Sequence, residues 1–321
     1  MSLETEAVLE RRRQKRTASF WRGVALLAGL VAIFSLSLLR FGADVLSDRQ
    51  QIARVTISGL ITEDREQLKM LDRIAASNQV AGVILFVNSP GGTTTGGEAL
   101  YEAIRKVARK KPVVAQFGTV AASAAFIAGL ASDHIVARGN TITGSVGVIM
   151  QWPEFSEMLA KLGVKVNEIK SGPLKATPSM FQPADEAGRG IAQEMIDDGQ
   201  QWFLALVRER RKIDTASVPG LEAGRIYSGR AALKHKLVDE IGGEATAIAW
   251  LTTKRNVPKG LKIVEWKPGS EIAFPFPGGW SLSSWIGQLF GLDRLNLIGE
   301  NNGLRAIALD GLVSVWQPGK N

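Results

Sequence analysis

The sequence predicts an α/β fold with a largely parallel sheet, preceded by one hydrophobic segment near the N-terminus. Three observations lead there. Short apolar runs of the kind buried on both faces of a sheet alternate with amphipathic stretches. Glycine- and proline-bearing turns separate them. Residues 23–39 form a single uncharged run between Arg22 and Arg40. The chain has 321 residues, 45% of them hydrophobic, enough for one large domain or two small ones.

Residues 1–22 hold six basic and three acidic side chains and predict a cytoplasmic arm. The run Gly23 to Leu39 is 17 residues long. At a rise of ~1.5 Å per residue it reaches roughly 26 Å, close to the hydrocarbon thickness of a bilayer. Phe20, Trp21 and Phe41 extend it at the interfaces, so residues 23–41 are expected to form a transmembrane anchor. A cleaved signal peptide is the competing reading, but the run exceeds a usual signal core and lacks a small-x-small site after Arg40. The positive-inside rule then places residue 42 onward outside the cytoplasm. Residues 42–52 read as a stalk, 53–255 as the main domain and 256–321 as a tail.

Within the main domain, Ile52 to Ile61 reads as a strand, with Thr62 as cap of the next helix. Leu68, Leu71 and Ile74 give that helix a buried face. Val80 to Val87 is a continuous apolar strand ending in Asn88-Ser89-Pro90-Gly91-Gly92. A helix is expected from about Gly97 to Arg109, then a strand over Val113–Phe117. Further strands are expected at His134–Ala137, Thr141–Ile149 and Val164–Ile169. Helices are expected at Phe155–Leu162, Asp185–Arg211 and around Ala223–Ala232. The tail opens with Pro275, Pro277 and glycines and carries Trp280, Trp285 and Trp316 among few charges. An apolar segment of that kind must be covered, and a neighbouring subunit is the expected cover.

Composition narrows the chemistry. There is no cysteine, which rules out disulfides and thiolate metal sites. Only two histidines, His134 and His235, are present, so a multi-histidine metal centre is not expected and a nucleophile has few imidazoles for a base. The net charge of +8 is spread thinly outside the N-terminal arm, with no basic patch interleaved with aromatics, which argues against a nucleic-acid partner. No cofactor is implied.

The residues that could do chemistry lie in four stretches. Ser123 stands among alanines and glycines where a strand gives way to a helix. Such a turn can present the Oγ with backbone N–H groups close by; alternatively Ser123 is merely small. Pro90-Gly91-Gly92 follows a buried strand. The N–H of Gly92 could form half of an oxyanion hole, with the N–H of Ala124 as the other half; alternatively it is an ordinary turn. Lys175, between Leu174 and Ala176, could be a general base if buried in apolar surroundings, or it is a solvated surface lysine. Ser145, between Gly144 and Gly147, could orient a neutral lysine, or it marks a tight bend.

Together these pieces resemble the signal peptide peptidase A family, also called protease IV, of bacterial serine–lysine peptidases. Asn88-Ser89-Pro90-Gly91-Gly92, Ala121-Ala122-Ser123, Thr143-Gly144-Ser145-Val146-Gly147-Val148 and Ser171-Gly172-Pro173-Leu174-Lys175 match its motifs in order. Gly224-Arg225 with Leu237 to Gly242 resembles its C-terminal signature. The chain departs from the pattern at Ala124-Ala125-Phe126, where the family has Gly-Gly-Tyr, and at Leu174 and Ala176 around the lysine. The resemblance implies a Clp protease/crotonase-like fold of repeated strand-strand-helix units. It also implies a Ser123–Lys175 dyad with Ser145 as orienter and Gly92 and Ala124 as oxyanion donors. The implied substrates are released signal peptides and other membrane-associated peptides, at the cytoplasmic membrane of a bacterium. A ring of identical subunits is implied as well. A Clp-like membrane protease acting with a stomatin-type scaffold, a crotonase-type acyl-CoA enzyme and a non-catalytic scaffold are the competing functions.

Overall fold

The computed structural model describes residues 20–33, 50–269 and 313–315. Residues 20–33 form helix α1 with every residue exposed. Among the described residues no helix is long and apolar enough to cross a membrane. The anchor expected over 23–41 lies partly in α1 and partly outside the described residues.

The main unit is built on a largely parallel sheet. Strand β1 (Gln51–Ile61) pairs with β2 (Val80–Thr93), and β2 with β3 (Val113–Ala122). β3 then divides. Its first half, Val114 to Phe117, pairs with β4 (His134–Ala137). Its second half, Val120 to Ala122, pairs with β5 (Ile142–Gly144). Strand β6 (Ile226–Ser228) runs antiparallel to β5, and the short β7 (Glu240–Ile241) lies beside β4. Strand β8 (Lys262–Trp266) adds to the outer edge of β1, seven residues beyond the end expected for the main domain. Residues Val313–Val315 form β9, antiparallel to the end of β2. The rest of the tail beyond residue 269 lies outside the described residues.

The continuous apolar strands follow from cover on both faces. Val83, Leu85, Val87, Val113, Ala115 and Phe117 point to one side, where they pack with helices α2 (Arg65–Ala76), α3 (Thr94–Ala108) and α4 (Ala124–Leu130). The alternate residues Ile84 and Val114 point to the other, against Ala247 and Leu251. Those two belong to α8 (Glu244–Lys254). Two short helices, α5 (Ser156–Lys161) and α7 (Gly229–Lys234), and the long α6 (Glu186–Arg211) complete the unit. Phe126 of α4 is fully buried and meets Phe117 edge-on at 6.4 Å. Burying a phenylalanine contributes ~1.5–3 kcal/mol, and an edge-to-face pair about 0.5–1.5 kcal/mol more.

Several elements differ from expectation. The cap of α2 is Asp64, not Thr62: its carboxylate accepts from the N–H groups of Glu66 and Gln67. β2 does not stop at Val87 but continues through Pro90-Gly91-Gly92, since β1 shifts register between Ser58 and Leu60 and stays paired to Gly92. The strand expected over Thr141–Ile149 is confined to Ile142–Gly144, because Gly144 and Ser145 both take positive φ and turn the chain away. Val164–Ile169 forms no strand; Val164, Val166 and Ile169 are exposed. Apolar alternation needs a neighbouring strand edge before it becomes a ladder. The helical spacing of Ile191, Met195, Trp202 and Leu206 predicts one buried stripe on α6; Leu206 is buried, beside Phe203, Leu204 and Val207, but Met195 is exposed.

Candidate active site

Ser123 is the single residue between β3 and α4, and its backbone is in the left-handed half of conformational space, with φ 60 and ψ −122. A non-glycine residue held there stores strain, of order 1–3 kcal/mol, which the surroundings must over-determine. They do so from both sides. The Ser123 N–H donates to the carbonyl of Gly144 at 2.9 Å, and its own carbonyl accepts from Ile127 at 3.0 Å. Its side chain does not cap α4, although an N-terminal serine commonly would. The residue is 1% exposed.

The sheet that leads to Ser123 is tied by side chains that sequence reasoning gave no role. Thr143, fully buried, donates to the carbonyl of Ala121 at 2.7 Å and locks β5 to β3 one step before the turn. Thr141 donates to the carbonyl of Gly118 at 2.7 Å. Asn88 accepts from the N–H groups of Thr119 and Val120, bridging β2 to β3 as the two separate. Ser89 accepts from the Gly91 N–H at 3.1 Å and shapes the Pro90-Gly91 bend. The signal for these roles was their polarity inside apolar strands, where a buried hydroxyl has to find a partner.

The oxyanion candidates sit on firm supports. Ala124 opens α4, so its N–H lacks an intrahelical acceptor. It packs under α3, where a Cβ on Gly97 would come within 3.2 Å of the Ala124 methyl. Gly92 lies one residue before the end of β2, beside β1. A Cβ there would lie 1.8 Å from the carbonyl oxygen of Ile61, so any other residue forces the two strands apart.

Ser145 is brought beside Ser123. It directly follows Gly144, whose carbonyl holds the Ser123 N–H, and its own N–H donates to Arg225 at 3.0 Å. Its φ of 52 is a second strained point in the same turn. A cavity of about 390 Å³ opens beside Ser145, between Val148 and the Ile196 and Gln200 positions of α6.

Lys175 is placed differently from expectation. It lies on the loop after Gly172, whose carbonyl its N–H meets at 3.2 Å, and it is exposed. The apolar neighbours expected to bury it do not do so within one chain: Leu174 is 54% exposed and Ala176 is exposed too. The loop belongs to a stretch, residues 149–181, in which Ile149, Phe155, Met158, Leu162 and Ile169 all face outward. Neither histidine takes the base's place. His134 opens β4 opposite the start of β3, away from its Ser123 end, and stacks on Trp250 at 4.9 Å. His235 lies edge-on to Tyr227. Among the described residues no cluster of potential metal ligands is present.

Comparison with known proteins finds relatives among the peptidases. Residues 105–258 match the family model for peptidase family S49, and residues 46–139 that for Clp protease. The chain is 34% identical over 238 residues to a Methanocaldococcus jannaschii protein named as a protease, covering 72% of this chain and 76% of that one. It is 30% identical over 285 residues to an Enterococcus faecium protein named as signal peptide peptidase SppA, covering 84% and 78%. It is 32% identical over 208 residues to protease 4 of Haemophilus influenzae, covering 62% of this chain and 34% of that protein.

Proposed function

The chain belongs to the signal peptide peptidase A family, peptidase family S49, and is a serine protease of Clp-like α/β fold; from that premise we propose that it is a membrane-anchored endopeptidase working through Ser123 and Lys175. Ser123 Oγ attacks the peptide carbonyl. Lys175, in its neutral form, takes the hydroxyl proton and returns it to the leaving amine. Ser145 orients the lysine. The N–H groups of Gly92 and Ala124 hold the developing oxyanion, where each donor contributes ~2.7–4 kcal/mol to the transition state.

The observation that carries this reading is the strained Ser123 turn. Its backbone is held by Gly144 on one side and the first turn of α4 on the other, and Ser145 follows Gly144 directly. Backbone strain kept at a serine between a strand and a helix is the arrangement that sets a nucleophile's Oγ beside the free N–H groups of the first helical turn.

The exposed lysine supports assembly into a homo-oligomer. A neutral lysine needs desolvation, and the apolar side chains of residues 149–181 need cover. A second copy of this chain packed on that face supplies both. The uncharged run Gly23 to Leu39, between arginines, supports an anchor in the cytoplasmic membrane with the protease domain outside. The name of the Enterococcus relative supports signal peptides as substrates.

The test uses the full chain in detergent. Fluorophosphonate labelling and hydrolysis of a quenched fluorescent signal peptide are followed for the wild type, Ser123→Ala and Lys175→Ala. Labelling that survives Ser123→Ala would place the nucleophile elsewhere. For the orientation, protease added to intact spheroplasts is expected to degrade the domain and spare an N-terminal tag; a protected domain would reverse the topology.

A further inference from the structure

The Ser123 turn hangs on the Gly144 carbonyl, and Gly144 itself rests on an aromatic ring. β6 runs beside β5 with Tyr227 opposite Thr143 and Ile226 opposite Gly144. Tyr227 is only 4% exposed. A Cβ on Gly144 would come within 2.7 Å of the Tyr227 Cδ2 and 3.0 Å of the Arg225 carbonyl oxygen. Together with its φ of 88, that closeness makes Gly144 a point where backbone meets ring with no side chain between them.

The segment around Tyr227 serves both serines of the site. The Gly144 carbonyl accepts the Ser123 N–H at 2.9 Å, and the Arg225 carbonyl accepts the Ser145 N–H at 3.0 Å. The ring between these two anchors is itself held. Its hydroxyl donates to the Pro219 carbonyl at 2.9 Å. The Arg225 guanidinium lies 5.4 Å from the ring centroid, and the His235 ring meets it edge-on at 5.8 Å. Burial pushes the Tyr227 hydroxyl above the ordinary tyrosine range, against the opposing pull of Arg225, so it stays protonated and keeps donating at neutral pH. A smaller side chain here leaves a void under Gly144 that the backbone has to collapse into.

We propose that Tyr227 is a positioning residue for peptide hydrolysis: its ring is the seat of Gly144, and through the Gly144 and Arg225 carbonyls it sets the spacing of Ser123 and Ser145. It acts through these two residues and not on the substrate. The proposal rests on the assignment of Ser123 and Ser145 to the active site.

The test compares variants of the full chain in detergent by peptide hydrolysis, fluorophosphonate labelling and thermal melts. Tyr227→Leu and Tyr227→Met remove the ring, the second leaving the smaller void. Tyr227→Phe keeps the ring and gives up only the bond to Pro219. Leu251→Ala is the stability control, since it opens a cavity under the opposite face of the sheet. Each folded ring-less variant is expected to lose about tenfold or more in kcat and in labelling rate, with KM changed less than about threefold, because misplaced catalytic groups cost rate and not ground-state binding. Tyr227→Phe is expected to recover kcat to within about threefold of wild type, and Leu251→Ala to melt lower with kcat within about twofold.

A folded Tyr227→Leu or Tyr227→Met protein with wild-type kcat would overturn the proposal. So would a Leu251→Ala protein that loses as much kcat at the same drop in melting temperature, since the effect would then be general loosening. A Tyr227→Phe protein as slow as Tyr227→Leu would move the role from the ring to the hydroxyl and overturn the seat. Failure of both ring-less variants to fold would make Tyr227 a pillar of the fold and overturn a role in placement. Labelling that survives Ser123→Ala is the separate sign that the catalytic assignment, and this inference with it, has failed; labelling that is lost in Ser123→Ala but untouched by the Tyr227 variants sinks the inference alone.

Discussion

Replacing Gly92 by alanine would put a methyl carbon 1.8 Å from the carbonyl oxygen of Ile61 and 2.5 Å from that residue's carbonyl carbon and its nitrogen. These are backbone atoms of a paired strand and have no rotamer to yield with. Attractive contact between non-bonded heavy atoms begins near 3.5 Å, so the end of β2 has to retreat from β1 by about 1 Å or more. The Gly92 N–H moves with it. An oxyanion donor works at about 2.7–3.1 Å from the developing charge, and losing one costs about 10²–10³ in kcat. KM is expected to change far less, because the bond is made fully only in the transition state. Overpacking of this kind also costs about 1–3 kcal/mol of stability, so each variant is checked by circular dichroism and thermal unfolding. Gly190→Ala is the control. Gly190 is exposed on α6 with nothing within 4 Å of a Cβ, and alanine there is expected to be neutral or stabilising by up to ~1 kcal/mol. The assay is kcat on a quenched fluorescent peptide with the full chain in detergent. A folded Gly92→Ala protein with kcat within about threefold of wild type would refute Gly92 as an oxyanion donor.

Ser123→Ala and Lys175→Ala are each expected to abolish turnover without unfolding the protein, and the double variant to be no worse than the worse single one, as for any catalytic unit; steady-state kinetics on the three proteins decide it. Thr143→Val keeps the shape but removes the hydroxyl that donates to Ala121, leaving a buried carbonyl short of its partner. A loss of about 1–3 kcal/mol in urea unfolding is expected, together with a lower kcat as the Ser123 turn slackens. Glu265 governs acid stability at the β8 edge. Burial pushes its carboxyl up, but hydrogen bonds from Thr56 and Arg54 outweigh this and hold it below the ordinary 4.5. A depressed carboxylate contributes stability that is complete above its unfolded pKa and is lost as pH falls through the folded one. Wild type is therefore expected to lose stability below about pH 4.5, and Glu265→Gln to flatten that acid limb in pH-dependent thermal melts.

By itself the sequence determined whatever depends on neighbours a few residues apart. Val80 to Val87 was legible as a doubly covered strand because every residue in it is apolar, and Ser123 because one hydroxyl interrupts a run of alanines between a strand and a helix. The motif order carried the family and, with it, the Clp-like sheet. Only the tertiary structure decided what depends on strands meeting across the sheet. Nothing local in Pro90-Gly91-Gly92 says that β1 will bulge at Gly59 and keep pairing as far as Gly92. The division of β3 between β4 and β5, which opens the edge beside Ser123, is a property of four strands at once. The strain at Ser123 is visible only once the Gly144 carbonyl arrives to hold it. Exposure belongs to the same class. Lys175 has apolar sequence neighbours, yet Leu174 points to solvent with it, because a side chain is buried by what packs over it and not by what precedes it in the chain. The pairing of Val313–Val315 with Gly91–Thr93 joins residues more than 200 positions apart. Loop closure over such a span is set by the geometry of the whole sheet, and no periodicity in either segment encodes it.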